Sequence, residues 1–142
     1  MITDPVIELF MDRYARATAS GDAETLGTLF APTFLAASPS GPQIVKATDL
    51  VPAIPRRRQM LESIGCQLPL LASVQDTPLD ARYSLVRTEW RWRVMRGGEL
   101  VVDLILPSTF IVDRTGSSPQ IVCYLPHQDI IAVLRDRGLL PP

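Results

Sequence analysis

Cysteine and histidine are nearly absent from this chain of 142 residues: Cys66, Cys123 and His127 are all it has. The two cysteines lie far apart, with no second Cys or His at ligand spacing beside either. They form neither a disulfide framework nor a zinc site, and both are expected to serve as small buried hydrophobes; no metal is expected. Long apolar runs are missing too. Leu100 to Leu106 is broken by Asp103 and falls far short of the ~20 residues that cross a bilayer, so no membrane partner is expected. The opening MITDPVIELF lacks the basic stretch of a signal peptide, which makes the cytoplasm the expected location. Charge of one sign is missing as well. A net charge of -1, without a basic segment interleaved with aromatics, gives nothing to hold a polyanion, and nucleic acid is not an expected partner.

What is present suffices for one folded domain over residues 1–142, since 46% of the residues are apolar and 20% charged. Asp4 and Pro5 form a helix start, and Ile7, Phe10, Met11, Tyr14 and Ala17 follow at helical spacing until Gly21. Asp22 caps a second helix with Leu26, Leu29 and Phe30 on one face, and Pro32 is expected to end it. Short extended pieces flank the turn Ser38-Pro39-Ser40-Gly41-Pro42. A third helical region, Thr48 to Ile64, is expected to break at Pro52 and Pro55 and to close at Gly65. From Leu68 the period becomes that of strands: Arg82 to Met95, the hairpin signal Gly97-Gly98, Glu99 to Val112, a looser turn, and Gln120 to Leu125. A short terminal helix around Ile130, Ile131, Val133 and Leu134 precedes Gly138 and the double proline Pro141-Pro142, and is expected to dock back on the body. Helices first and a meander afterwards means α+β, with the helices on one face of a curved, mainly antiparallel sheet.

A two-residue turn at Gly97-Gly98 sets Arg93 opposite Val102, Arg91 opposite Leu104, and Trp92 opposite Asp103. On that register one face carries Arg87, Glu89, Arg91 and Arg93 beside Val102, Leu104 and Leu106. The other carries Val86, Trp90, Trp92 and Val94 beside Val101, Asp103 and Ile105. The tryptophan side is the floor for the helices, and the arginine-and-leucine side suits a homodimer contact. Pro107 is expected to mark a bulge that exchanges the faces beyond it.

The stretch DRYARATASGDAETLGTLFAPTFLAASPSG, Asp12 to Gly41, resembles the opening of the nuclear transport factor 2-like superfamily. The resemblance rests on Arg13-Tyr14, then Gly21-Asp22, then Leu29-Phe30-Ala31. It implies a cone of helices over a curved sheet, with ketosteroid isomerase and polyketide-cyclase-like enzymes among the relatives, beside many binding and assembly modules. In ketosteroid isomerases the tyrosine matching Tyr14 donates to a developing enolate oxygen, an aspartate on the next strand moves the proton, and a protonated acid completes the oxyanion hole. Here the proton-moving position falls on Ser38 and the second acid on Pro107 or Ser108. A serine is too weak a base for that step, so steroid isomerisation is not expected.

Other chemistries on this fold pair a histidine with an acid or activate water with an Asp-Arg-Asp set. His127, oriented by Asp129, would supply the first, unless these residues merely end the strand and cap the terminal helix. Asp103 with Arg91 or Arg93 would approximate the second, if desolvation between the tryptophans raises its pKa; a structural ion pair is the alternative. Arg56-Arg57-Arg58, read as the start of a helical turn, opposes the helix dipole and points to an anionic ligand, to acids such as Asp49 and Glu62, or to a solvated face.

Three functions remain in play. One is a homodimeric domain binding a small, largely apolar molecule, with Tyr14, Ser38, Trp90 and Ser108 lining the pocket and no cofactor. The second is an isomerase or hydro-lyase using Tyr14 with His127 or Asp103. The third is a structural dimerisation module whose cone is filled by its own side chains.

Overall fold

Residues 4–140 are described by the structure, a computed structural model; the double proline Pro141-Pro142 lies outside them. The first helix, α1 (Pro5–Ser20), begins where Asp4 accepts a hydrogen bond from Val6 N at 2.9 Å and proline takes the first helical position. It ends at Gly21, in the left-handed region at φ 67°, with Asp22 N donating to Ala17 O at 2.8 Å. Asp22 caps α2 (Ala23–Thr28) by accepting from Thr25 N at 3.1 Å. That helix is shorter than expected. Phe30 already opens β1 (Phe30–Ser38), so Pro32 lies inside a strand rather than ending a helix. It is tolerated because the ladder to the last strand is interrupted between Phe30 and Leu35, where no donor is required.

After β2 (Gly41–Lys46), α3 (Ala47–Ser63) runs through Pro52 and Pro55 without breaking. The prolines remove two ladder hydrogen bonds, and packing of Leu50, Ile54 and Leu61 over the sheet holds the helix across them. Because α3 starts at Ala47, the Arg56-Arg57-Arg58 run lies in its second half and does not oppose the dipole as expected.

The strands β3 (Leu70–Pro78), β4 (Tyr83–Arg96), β5 (Glu99–Asp113) and β6 (Gln120–Pro126) complete one sheet in the order β2-β1-β6-β5-β4-β3, antiparallel except between β1 and β6. The terminal helix α4 (Ile130–Asp136) docks through buried Ile130 and Leu134. This is the α+β arrangement expected, helices on one face of a mainly antiparallel sheet.

The hairpin register differs from expectation by one residue. Arg96 faces Glu99 and Met95 faces Leu100, as the two-residue turn requires, but Val94 then faces Val102. Val101 is the extra residue of a bulge there, and the bulge expected at Pro107 is absent: Pro107 faces Glu89 in regular register. A one-residue slip moves every side chain of β5 to the opposite face. Trp92 therefore faces Leu104, not Asp103, and Arg93 faces Asp103. Val102, Leu104 and Leu106 join Trp90, Trp92 and Val94 beneath the helices, while Asp103 and Ile105 join the arginines outside.

Two clusters of buried side chains form the interior. One gathers Ile7, Phe10 and Met11 of α1 with Phe30, Phe34, Trp90 and Phe110; the other gathers Leu61, Cys66, Val94, Val102, Ile130 and Leu134. Trp92 packs against both. Cys66 is fully buried and burial pushes its thiol up to about 11, whereas Cys123 is only half-buried; both are free thiols.

Candidate functional site

Between the two clusters lies a cavity of about 510 Å³. Its floor consists mostly of even-numbered positions of β1, β4, β5 and β6, such as Ala36, Trp90, Ser108 and Tyr124, because alternate side chains of a strand share a face. Tyr14 and Thr18 of α1 and Ile54, Arg57 and Leu61 of α3 close it from above. All four residues expected to line a pocket, Tyr14, Ser38, Trp90 and Ser108, line this one.

The Tyr14 ring belongs to the core. It meets Phe110 edge-on at 5.2 Å and Trp90 at 5.7 Å, while its hydroxyl has no hydrogen-bond partner among the described residues. Burial pushes its pKa far above the usual value, with neighbouring Tyr124 adding to the rise and Arg57 opposing it. Tyr14 is thus a neutral donor at the cavity wall.

Around Trp90 the proton positions follow from the partners. Trp90 Nε1 donates to Thr88 Oγ1 at 2.8 Å, and the Thr88 hydroxyl donates to the Ser108 carbonyl at 2.9 Å. In the 2.9 Å contact between the two hydroxyls, Ser108 must therefore be the donor. The Ser108 hydroxyl presents only lone pairs to the cavity. Ser38 stands 2.7 Å from the Ser40 hydroxyl in the β1–β2 turn.

The two candidate bases lie elsewhere. His127 Nε2 is 2.7 Å from Thr109 Oγ1, on the outer face that odd-numbered β5 residues share, and it does not line the cavity. Asp129 does not orient it; Asp129 caps α4 by accepting from Ile131 N at 3.0 Å. Asp103 is also outside. Arg91 grips it with two hydrogen bonds, at 2.8 and 2.6 Å, and Arg93 stands 3.9 Å away. Those hydrogen bonds hold the Asp103 carboxyl below the usual carboxylate range, opposite to the rise that a desolvated base requires.

Sequence reasoning passed over Tyr124 and Asp129 as lining residues, and it left Arg57 with several readings. Tyr124 faces Phe110 on β5, stacked at 5.2 Å, and its hydroxyl also has no partner among the described residues. It was findable as the lone aromatic of the last strand. Arg57 lines the cavity and forms no ion pair among the described residues, whereas Arg58 pairs with Glu62 at 3.3 Å and donates to Gly21 O. Among the described residues no group of His, Cys, Asp and Glu is arranged to hold a metal, and no helix is long and apolar enough to cross a membrane.

No protein-family model matches the chain, and no curated protein matches it in sequence. Solved structures do match. An NTF2-like protein with a cystatin-like fold from Novosphingobium aromaticivorans superposes with a TM-score of 0.71, covering 96% of this chain and 88% of that one at 18% identity. The beta subunit of benzoate 1,2-dioxygenase from Burkholderia mallei gives 0.65, covering 94% and 96% at 17% identity. A ketosteroid isomerase-like protein from Erwinia carotovora atroseptica gives 0.63, covering 84% and 91% at 13% identity. The chain has the nuclear transport factor 2-like, cystatin-like fold.

Proposed function

We propose that this protein is a homodimeric, cytoplasmic domain that binds a small, largely apolar molecule in the cone. The observation that carries this reading is the cavity itself: about 510 Å³, with apolar walls that include Phe34, Trp90, Leu106 and Ile130. That volume falls within the roughly 300–1,000 Å³ of small-molecule sites. A purely structural module would fill its cone with its own side chains, and here the space stays open. The isomerase or hydro-lyase alternative keeps Tyr14 as a hydrogen-bond donor, but neither His127 nor Asp103 reaches the cavity to move a proton.

Binding is tested with the neutral dye N-phenyl-1-naphthylamine, whose emission rises in apolar surroundings. Ala36 lines the cavity from β1, and Ala36→Trp would fill part of it. The wild type is expected to enhance the dye's emission, and the variant, folded by circular dichroism, to lose at least about tenfold in dye affinity. Equal enhancement by both proteins would place the dye elsewhere and reject the reading.

The dimer is assigned to the outer face of β4 and β5. Val101 and Ile105 are 46% and 44% exposed, and Ile105 lies directly opposite Arg91 in the ladder. Leu104 faces inward beside Trp92, so a charge at Leu104 would probe the interior rather than the contact. Ile105→Arg is expected to weaken self-association by at least about tenfold in sedimentation velocity. A dimer of unchanged affinity would reject this face.

A further inference from the structure

Three polar side chains from distant parts of the chain line the one cavity: Tyr14 of α1, Arg57 of α3 and Tyr124 of β6. Phe110 separates the rings of the two tyrosines, stacked on Tyr124 and edge-on to Tyr14, each at 5.2 Å. Among the described residues neither phenol has a hydrogen-bond partner and Arg57 has no carboxylate partner. Both tyrosines are partly exposed and Arg57 is exposed, and all three line the open cavity, so they are donors that a ligand entering it can supply with acceptors.

We propose that the apolar ligand is a carboxylic acid, its carboxylate held by the Tyr14 and Tyr124 hydroxyls and the Arg57 guanidinium, its hydrocarbon part lying over Trp90 and Trp92. The assignment rests on the cavity being the binding site. A carboxylate offers acceptor positions only, which matches three groups that donate; an alcohol or amide would bring donors of its own. The field favours an anion. Arg57 acts on both phenols, whereas Asp129 acts on Tyr124 alone and less strongly than Arg57 does. Arg58, already paired with Glu62, is not needed for the contact. Burial keeps both phenols protonated, so they remain donors across the physiological range.

The chain's two tryptophans both line the cavity, which makes intrinsic fluorescence a reporter of that site. Octanoate and octanamide, equal in length and transparent where tryptophan absorbs, are titrated at neutral pH into the wild type and Arg57→Gln. Arg57 is exposed on α3, so its replacement leaves the core intact. Octanoate is expected to bind at least about tenfold more tightly than octanamide. Arg57→Gln is expected to abolish that preference without weakening octanamide, and Tyr124→Phe to weaken octanoate severalfold. Equal affinity for acid and amide overturns the carboxylate assignment and leaves the apolar cavity standing; so does a preference that survives Arg57→Gln. Octanoate that fails to bind while N-phenyl-1-naphthylamine binds overturns the assignment alone. Failure of all three probes removes the cavity reading and the carboxylate with it.

Discussion

Phe110→Ala is expected to destabilise the folded protein by about 3–5 kcal/mol, the range for truncating a buried phenylalanine. Phe110 is fully buried on β5, between Val86 of β4 and Tyr124 of β6 in the ladder. The loss has two parts: transfer of the ring from water, and a void that its neighbours cannot close. Those neighbours are Tyr14 and Tyr124, whose rings both rest on it. The variant therefore also loosens the two phenols that line the cavity. Urea denaturation of wild type and variant measures the first effect through a lowered midpoint at similar slope. A loss below about 1 kcal/mol would mean that the cavity collapses onto the vacated volume, contrary to a rigid cone.

Gly65→Ala is the second large change, with an expected cost of about 2–4 kcal/mol. Gly65 has φ 84°, in the region that side chains with a Cβ avoid. A Cβ there would also stand 1.9 Å from the Met95 carbonyl oxygen. The close approach is functional in the fold: Met95 N donates to Gly65 O at 2.9 Å, and Gln67 N donates to Arg93 O at 2.9 Å. These contacts fasten the exit of α3 to the end of β4, and α3 carries Arg57 over the cavity. Gly116→Ala is the control. It shares the positive φ, at 91°, but its Cβ would meet nothing within 4 Å, so only the backbone strain of about 1–2 kcal/mol remains. Equal losses in the two variants, read from urea midpoints, would show that the Met95 contact yields without cost.

Much of the fold was legible because its signals are local. Asp4-Pro5, Asp22 and Asp129 cap helices through bonds spanning two or three residues, and Gly21 ends α1 with the conformation its missing side chain permits. The alternation of β4 placed Trp90 and Trp92 on the inner face correctly. β5 was misplaced, because nothing in Glu99 to Leu106 announces a bulge at Val101; the bulge brings Val102, Leu104 and Leu106 under the helices and releases Asp103 to the arginines. Burial gained across three strands selects that register. Helix α3 shows the same logic, since packing over the sheet outweighs the bonds lost at Pro52 and Pro55.

The candidate site divides along that line. By itself the sequence determined the α+β class and the helical entry that carries Tyr14, because these depend on residue identity and short-range pattern. Only the tertiary structure decided that Asp103 and His127 lie outside the cone and that Arg57 and Tyr124 join Tyr14 within it. Those placements depend on strand register and on the position of α3 over the sheet, which are set by the summed burial of the whole sheet rather than by any local stretch of chain.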